Sequence, residues 1–187
     1  MCKDIMSSLY ATQNNLLLNT LILFYQKDGN IDKMLSIING QSKISLRLVD
    51  WFVTNYSKKH FIIYPLNNGR FKVYDDYKLK LRAYSKKRFD PFCRWDRITI
   101  PYKNDSRIQT TIGQLNFFKW ALENKIIDYI EKNYDAIETD MNMRNSSSKK
   151  NKLDVSDSKT RKKREELSIS ATKSIKKEKV EIVVKFD

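Results

Sequence analysis

The sequence has few of the residue types on which catalytic and metal sites depend. Its 187 residues include one histidine, two cysteines, four glycines and three prolines. A catalytic triad or a Cys-His pair would have to use His60, and Cys2, Cys93 and His60 are too few for a zinc site. Four scattered glycines make neither a phosphate-binding loop nor a dinucleotide fingerprint. We therefore expect no enzymatic activity, no cofactor and no bound metal.

Long apolar runs and a signal peptide are also missing. Residues 1–6 lack the charged start and apolar run of a signal peptide, so both cysteines are interpreted as reduced thiols. The apolar stretch at residues 16–25 is too short to span a bilayer. The sequence therefore predicts a soluble protein without a membrane span, in which Cys93 is a small buried residue.

Positive charge is what the chain has in excess. It carries 36 Lys or Arg against 22 Asp or Glu, a formal net charge of +14. Thirteen of these cations and five of the acids lie in residues 144–179, so this segment carries +8 and the rest of the chain +6. Such an excess favours a polyanionic partner, with DNA or RNA ahead of an anionic membrane surface or an acidic protein. An AT-rich genome is an alternative source of the lysines.

Composition divides the chain into three parts. Residues 1–142 predict a single α+β domain, in which residues 1–41 are a candidate helical extension. Residues 143–179 predict a disordered basic Lys/Arg/Ser tail, because they cannot bury enough apolar area to offset the entropy of ordering. Residues 180–187 alternate and are β-branched, as in a β-strand. That strand can pair with the chain's own sheet or add to the sheet of a protein partner.

Hydrophobic spacing predicts the elements of the domain. Helices are expected at residues 7–27, at 31–39 with Asn30 as the cap, and from Ser42 or Ser45 to residue 59. Residues 60–64 and 71–74 predict a hairpin around a turn at 67–69. Residues 77–87 fit either a strand or a helix capped by Asp75, and the helix is favoured. Residues 97–100 predict a third strand.

The pattern at residues 111–114 is that of a capping box, in which Thr111 and Gln114 satisfy the first amides of a helix. Apolar residues at helical spacing carry this helix to about residue 133, with a second helical piece at 135–143. The predicted fold class is therefore α+β. It has N-terminal helices, a small antiparallel sheet with a hairpin and a long C-terminal helix, followed by a disordered basic tail and a terminal strand.

The densest chemical signal is a basic stretch with aromatic residues among the cations. Residues 78–94 contain seven Lys or Arg, and four rings lie in or next to them, those of Tyr84, Phe89, Phe92 and Trp95. Cations contact phosphates and exposed rings stack on bases, although packing in the core is favoured for the rings. For the loop at 86–88, a phosphate contact and a solvated loop are equally supported. The candidate nucleic-acid contacts are Lys86, Lys87, Arg88, Arg94, Arg161, Lys162, Lys163 and Arg164.

Two alternatives to a nucleic-acid contact follow from the same residues. The run at 161–164 is also typical of a nuclear-import signal or a solvated tract. The carboxylates Asp90, Asp96 and Asp105 are close in sequence and can in principle hold Mg²⁺, as in a nuclease, but this hypothesis is not favoured.

Three blocks of sequence resemble a known family. They are residues 45–56 (SLRLVDWFVTNY), 84–94 (YSKKRFDPFCR) and 111–120 (TIGQLNFFKW). Over roughly residues 45–135 the chain resembles an uncharacterised family of nucleocytoplasmic large DNA viruses, of the mimivirus, phycodnavirus and iridovirus kind. The resemblance implies a viral protein in the virion or in a cytoplasmic virus factory, with the nucleus as an alternative.

Charge and resemblance together give three hypotheses for function. The leading one is a non-enzymatic viral protein that binds DNA or RNA through the basic loop and tail. The second is a structural virion or assembly protein that acts through protein–protein contacts, with the strand at 180–187 as the docking element. The third is the Mg²⁺-dependent nuclease.

Overall fold

A computed structural model of the chain describes residues 13–27, 29–67, 69–95, 97–103, 106–150 and 176–179. These residues form an α+β fold, as predicted. The helices are α1 (Gln13–Tyr25), α2 (Asn30–Ile38), α3 (Leu46–Trp51), α4 (Ser57–His60), α5 (Val73–Phe89), α6 (Ile112–Glu123), α7 (Ile126–Lys132) and α8 (Tyr134–Lys150). A π-helical stretch, Phe52–Tyr56, joins α3 to α4. The strands are β1 (Ile63–Leu66), β2 (Gly69–Lys72), β3 (Arg97–Pro101), β4 (Ser106–Thr111) and β5 (Lys176–Lys179).

Helix α6 is the centre of the fold. Residues 112–118 are all buried, and Trp120 and Ala121 are buried with them. A helix that is buried on every side lies inside a core rather than on its surface. Tyr25 of α1 donates to the carbonyl oxygen of Leu115 at 2.7 Å, and Trp120 donates to Asp76 of α5 at 2.6 Å. Both hydrogen bonds satisfy polar atoms that the packing removes from water.

Aromatic rings fill the space between α5 and α6. The rings of Tyr77, Phe89, Phe117 and Trp120 contact one another at centroid distances of 5.6 to 6.5 Å. Several of these pairs are edge-to-face, a geometry that adds about 1 kcal/mol to the burial of each pair. This cluster fixes the C-terminal end of α5, where the basic loop begins, against the core.

The strands form two separate antiparallel sheets rather than the single small sheet expected. In the first, β1 pairs with β2, and Tyr64 and Phe71 occupy opposite positions. In the second the order is β3-β4-β5, so the strand predicted at 97–100 pairs with β4, which the sequence patterns did not predict. Only a β-branched signal at Ile108, Thr110 and Thr111 marks β4 in the sequence.

Several local predictions are corrected by the structure. Asn30 is the first residue of α2 and its side chain donates to Phe24, so the residue before the helix is Gly29. Helix α5 begins at Val73, two residues before the expected cap Asp75, because Val73 is fully buried against the core. The predicted hairpin is present, with each strand two to three residues from its expected place.

The long C-terminal helix is divided at Asn124 and Lys125. Lys125 has φ 53°, a left-handed conformation that ends α6 and lets α7 start in a new direction. The Asn124 side chain donates to the Trp120 carbonyl at 2.8 Å, which satisfies an acceptor at the helix end. Periodicity does not detect this break, since apolar residues continue at helical spacing on both sides of it.

Helix α8 packs on the helix formed by α3 and α4. Asp140 accepts a hydrogen bond from the Trp51 indole at 3.1 Å and a charged one from Lys59. Burial raises the pKa of Asp140, but the hydrogen bonds from Lys59 and Trp51 outweigh it and hold the pKa below its usual value. His60 ends α4, with its ring centroid 4.3 Å from that of Tyr56.

The described parts of the C-terminal region differ from the expected tail. Helix α8 continues to Lys150, beyond the predicted domain limit at 142, and β5 at Lys176–Lys179 pairs with β4. The pairing gives β5 backbone partners that its composition does not reveal. The basic run at 161–164 and the predicted strand at 180–187 lie outside the described residues. No helix within the described ranges is long and apolar enough to cross a membrane.

Candidate nucleic-acid interface

The basic loop begins at a break inside α5. Ser85 has φ 63° and ψ 166°, a conformation that only glycine adopts readily, and it separates the last turn from the rest of the helix. Phe89 then ends the helix with a fully buried ring, which stacks on Tyr84 at 6.0 Å. The break turns the short segment from Lys86 to Arg88 so that its chain can lie against α6.

Helix α6 holds this segment through the segment's own backbone. The Asn116 amide donates to the carbonyl oxygen of Arg88 at 2.9 Å. Gly113 lies so close that a Cβ atom there would be 2.7 Å from the carbonyl oxygen of Asp90 and 3.2 Å from that of Lys87. Asp90 also closes a turn, since its carboxylate accepts from the Phe92 amide at 2.8 Å. These contacts fix the backbone of the segment while the side chains of Lys86 and Lys87 remain exposed.

The loop presents cations and one large ring to solvent. Lys86, Lys87 and Arg94 are exposed, whereas Arg88 is partly buried. Trp95 is 67% exposed, and the Lys87 ammonium lies 5.4 Å from the centroid of its indole. A cation–π contact at an exposed site is weak, so a ligand can displace the lysine from the ring.

The four rings of the basic stretch separate into two groups. Phe89 is fully buried, and Tyr84 and Phe92 are partly buried and pack against the core, as favoured from the sequence. Trp95 is the exception, since it lies beyond the turn closed by the Cys93 amide and the Asp90 carbonyl and is exposed. Sequence alone does not distinguish it from the other three rings.

Ion pairing divides the described surface lysines into two groups. Lysines 43, 59, 103 and 119 each lie within 4.0 Å of a carboxylate. Within the described ranges, Lys78, Lys86 and Lys87 form no ion pair. Their charges are therefore available to an external anion.

A concavity of about 360 Å³ lies beside the loop. It is lined by Lys78 and Lys86, by Asp90, and by Thr54, Tyr74, Tyr77 and Leu81. Asp50 is close enough to Asp90 to interact with its charge. Burial first, and then repulsion from Asp90, raise the pKa of Asp50 from 3.8 to about 6. Burial of the Tyr77 hydroxyl, followed by the charges of Asp50 and Asp90, likewise raises the pKa of Tyr77.

The arrangement brings together part of the predicted site. Lys86 and Lys87 are exposed in the last turn of α5, Arg94 is exposed after the turn that follows, and Arg88 contributes its backbone carbonyl to the contact with α6. Residues 161–164 cannot be placed, since they lie outside the described residues, and so do Asp96 and Asp105 of the nuclease hypothesis. No three metal-ligating side chains cluster among the residues that the structure describes.

Sequence reasoning missed the residues that hold the loop. Gly113 and Asn116 lie within the predicted capping-box helix, and nothing in their local pattern indicates a contact with residues 87–90. A glycine at the second position of the predicted helix was the available signal, because it lowers helix propensity without a local benefit.

Residues 2–156 match a family described as "Family of unknown function (DUF7197)". The chain belongs to this family. A protein of Acanthamoeba polyphaga mimivirus, itself described as uncharacterised, is 49% identical over 128 residues, which cover 64% of this chain and 48% of that protein. The chain thus spans about half the length of this curated relative. The DUF7197 match and the mimivirus relative confirm the resemblance to a large DNA virus family, and no solved structure matches the chain.

Proposed function

We propose that this protein is a non-enzymatic viral nucleic-acid-binding protein that contacts the phosphate backbone through the loop around Lys86 and Lys87. The observation that carries the proposal is the adjacent pair Lys86 and Lys87, which form no ion pair among the described residues, with the Lys87 ammonium over the exposed ring of Trp95. Lysines without carboxylate partners bind phosphate without first breaking an ion pair.

The anchoring of the loop favours binding as well. Asn116 and Gly113 hold the backbone of residues 87–90 against a buried helix, so little backbone entropy is lost when a ligand binds. The basic run at 161–164 would add a second, long-range attraction for phosphates. In this arrangement the loop sets the position of the protein on the nucleic acid, and the basic arm adds salt-sensitive affinity.

Fluorescence anisotropy with labelled DNA tests this function in the full chain. The double variant Lys86→Gln/Lys87→Gln should weaken binding strongly and lower the slope of log affinity against log salt, because two phosphate contacts are lost. The control is Lys27→Gln/Lys33→Gln, which removes the same charge from exposed positions outside the concavity. Equal losses in the two variants would show that net charge alone drives binding, and would refute the proposed contact.

The contribution of the tail is separable in the same assay. Replacing Arg161, Lys162, Lys163 and Arg164 by Gln should reduce affinity at low salt and have less effect at physiological salt, since exposed charges are screened.

A location in the virion or a cytoplasmic virus factory is part of the proposal and is checked by imaging the tagged protein in infected cells. Absence from both would contradict it.

A structural role in virion assembly is the second candidate. The observation that favours it is the pairing of β5 with β4, which places an extended segment of the tail on a sheet. Residues 180–187 directly follow β5 and are the proposed docking strand for a protein partner. Deleting residues 180–187 should impair assembly under this hypothesis and leave DNA affinity unchanged under the first.

A further inference from the structure

A second concavity, of about 320 Å³, lies where α4 meets the β1–β2 hairpin. Its lining includes Phe61 and Ile63, which are 82% and 49% exposed, and the lysines Lys58 and Lys72. Phe61 follows the end of α4 with φ 49°, and its ring is not part of the hydrophobic core formed by the described residues. An aromatic ring held open to solvent between two lysines is an unusual surface for a protein to retain.

The two concavities share a wall. Tyr74 lines both the concavity with Phe61 and the concavity with Lys86, and the Lys58 ammonium lies 5.6 Å from the Tyr74 ring centroid. The two concavities adjoin at Tyr74, and together we call them the groove. Lys87 follows Lys86 in the chain, and its ammonium lies 5.4 Å from the ring centroid of Trp95.

Five lysines accompany this groove, and none of them forms an ion pair within the part of the chain that the structure describes. They are Lys58, Lys72, Lys78, Lys86 and Lys87. One carboxylate faces each concavity, Asp75 in the first and Asp90 in the second. Since the Asp90 carboxylate also accepts the Phe92 amide, part of its charge is engaged within the loop. The groove is thus a cationic track with a net excess of positive charge.

The position of the two exposed rings selects the ligand. Phe61 lines the first concavity and Trp95 lies beside Lys87, and both rings are exposed to solvent. In a duplex the bases already stack on one another, so exposed rings gain little. In a single strand the bases are free to stack on protein rings while phosphates lie along the lysines between them. An acidic peptide would satisfy the lysines without using the rings.

We propose that this groove binds a single strand of nucleic acid, with bases stacked on Phe61 and Trp95 and phosphates along the five lysines. This inference rests on the proposed function and adds to it the ligand class and a set of contacts around α4 and the first hairpin.

Anisotropy titration of the full chain with an oligo-dT of about 15 nucleotides, and with a blunt duplex of equal length, tests the inference. The wild-type chain should bind the single strand more tightly than the duplex. Phe61→Ala and Trp95→Ala should each weaken single-strand binding about tenfold and leave duplex binding unchanged. The matched control is Leu23→Ala, which shortens another exposed apolar side chain, 61% exposed, outside the groove.

The lysines near Phe61 are tested by salt dependence. Each phosphate contact to a single strand contributes about 0.7 to the slope of log affinity against log salt, so Lys58→Gln/Lys72→Gln should lower the slope by about 1.4. The Lys27→Gln/Lys33→Gln control should leave the slope almost unchanged. Thermal melting of each variant verifies the fold, which substitutions at exposed positions should preserve.

The outcomes separate this inference from the proposed function. The inference would be overturned if the duplex bound as tightly as the single strand, or if the ring variants bound with wild-type affinity. The proposed function would still stand in that case if Lys86→Gln/Lys87→Gln lost affinity for DNA. Failure of the wild-type chain to bind either DNA would overturn both. Displacement of the oligonucleotide by poly-glutamate, with no effect of the ring substitutions, would assign the groove to an acidic protein and also overturn the inference.

Discussion

Replacing Gly113 by alanine tests whether α6 sets the position of the basic loop. The residue lies in the first turn of a helix, where alanine is normally the better choice by about 1 kcal/mol. An added Cβ atom would, however, lie 2.7 Å from the carbonyl oxygen of Asp90 and 3.2 Å from that of Lys87. Both obstacles are backbone atoms, which cannot rotate away as the end of a side chain can. The two effects have opposite signs, so the experiment decides between them.

The steric cost should exceed the gain in helix propensity. Forcing an extra methyl group into a packed site costs about 1–3 kcal/mol, and backbone contacts on two sides place this site at the upper end. Subtracting the propensity gain leaves a net loss of about 2 kcal/mol in the free energy of unfolding. For a chain of this size that loss lowers the melting temperature by about 5 °C.

Urea denaturation and thermal melting measure the effect, and Gly69→Ala is the matched control. A Cβ atom at Gly69 would meet the Leu66 carbonyl at 3.7 Å, an ordinary contact, so this variant should be neutral or slightly stabilised. Hydrogen exchange should also be faster at the Cys93 amide, which donates to the displaced Asp90 carbonyl at 3.1 Å. A Gly113→Ala variant as stable as the wild-type chain would refute the close contact between α6 and the loop.

Three further substitutions probe the same region by denaturation. Asp50→Asn should stabilise the protein at neutral pH by up to roughly 3 kcal/mol and have no effect below about pH 4. Its pKa is raised from 3.8 to about 6, so the folded state loses stability as pH rises through that interval. Ser85→Gly should stabilise by about 1 kcal/mol, because φ 63° with ψ 166° is strained for serine. Thr111→Val should destabilise by about 1 kcal/mol, since it removes the hydroxyl that accepts from the Gln114 amide at 3.2 Å.

Each of these expectations has a contrary result. A pH-independent effect of Asp50→Asn would show that the carboxylate is not destabilised by burial and by Asp90. A loss of stability in Ser85→Gly would mean that residue 85 is helical, because glycine weakens a regular helix. An unchanged stability in Thr111→Val would show that another group satisfies the first amides of α6.

Patterns that depend on near neighbours in the chain were predicted well. The capping box identified Thr111 as the cap of α6, and Ser45, one of the two expected starts of the third helix, is the cap of α3. Each signal consists of a side chain and a backbone amide three residues apart. The hairpin was recognised for a similar reason, since residues 67–69 carry the turn chemistry themselves. Helix α5 was favoured over a strand, which the structure confirms, although its start was misplaced.

Features that depend on distant residues were missed. The break at Lys125 and the π-helical stretch after α3 interrupt helices whose apolar spacing continues without a change. Strand β4 was overlooked because it is stabilised by hydrogen bonds to its neighbours in the sheet, β3 and β5, and its own sequence does not reveal these partners. A strand acquires its hydrogen-bond partners only through tertiary pairing.

The candidate site shows the same division. The sequence by itself determined the charge of the chain, the α+β class and the stretch in which Lys86, Lys87 and Arg94 lie, because composition and short-range spacing are properties of the chain alone. Only the tertiary structure decided that Trp95 is exposed while Phe89 is buried, and that Tyr74 lines both the concavity with Phe61 and the concavity with Lys86. Exposure and proximity are set by packing between elements far apart in the chain, which no local pattern records.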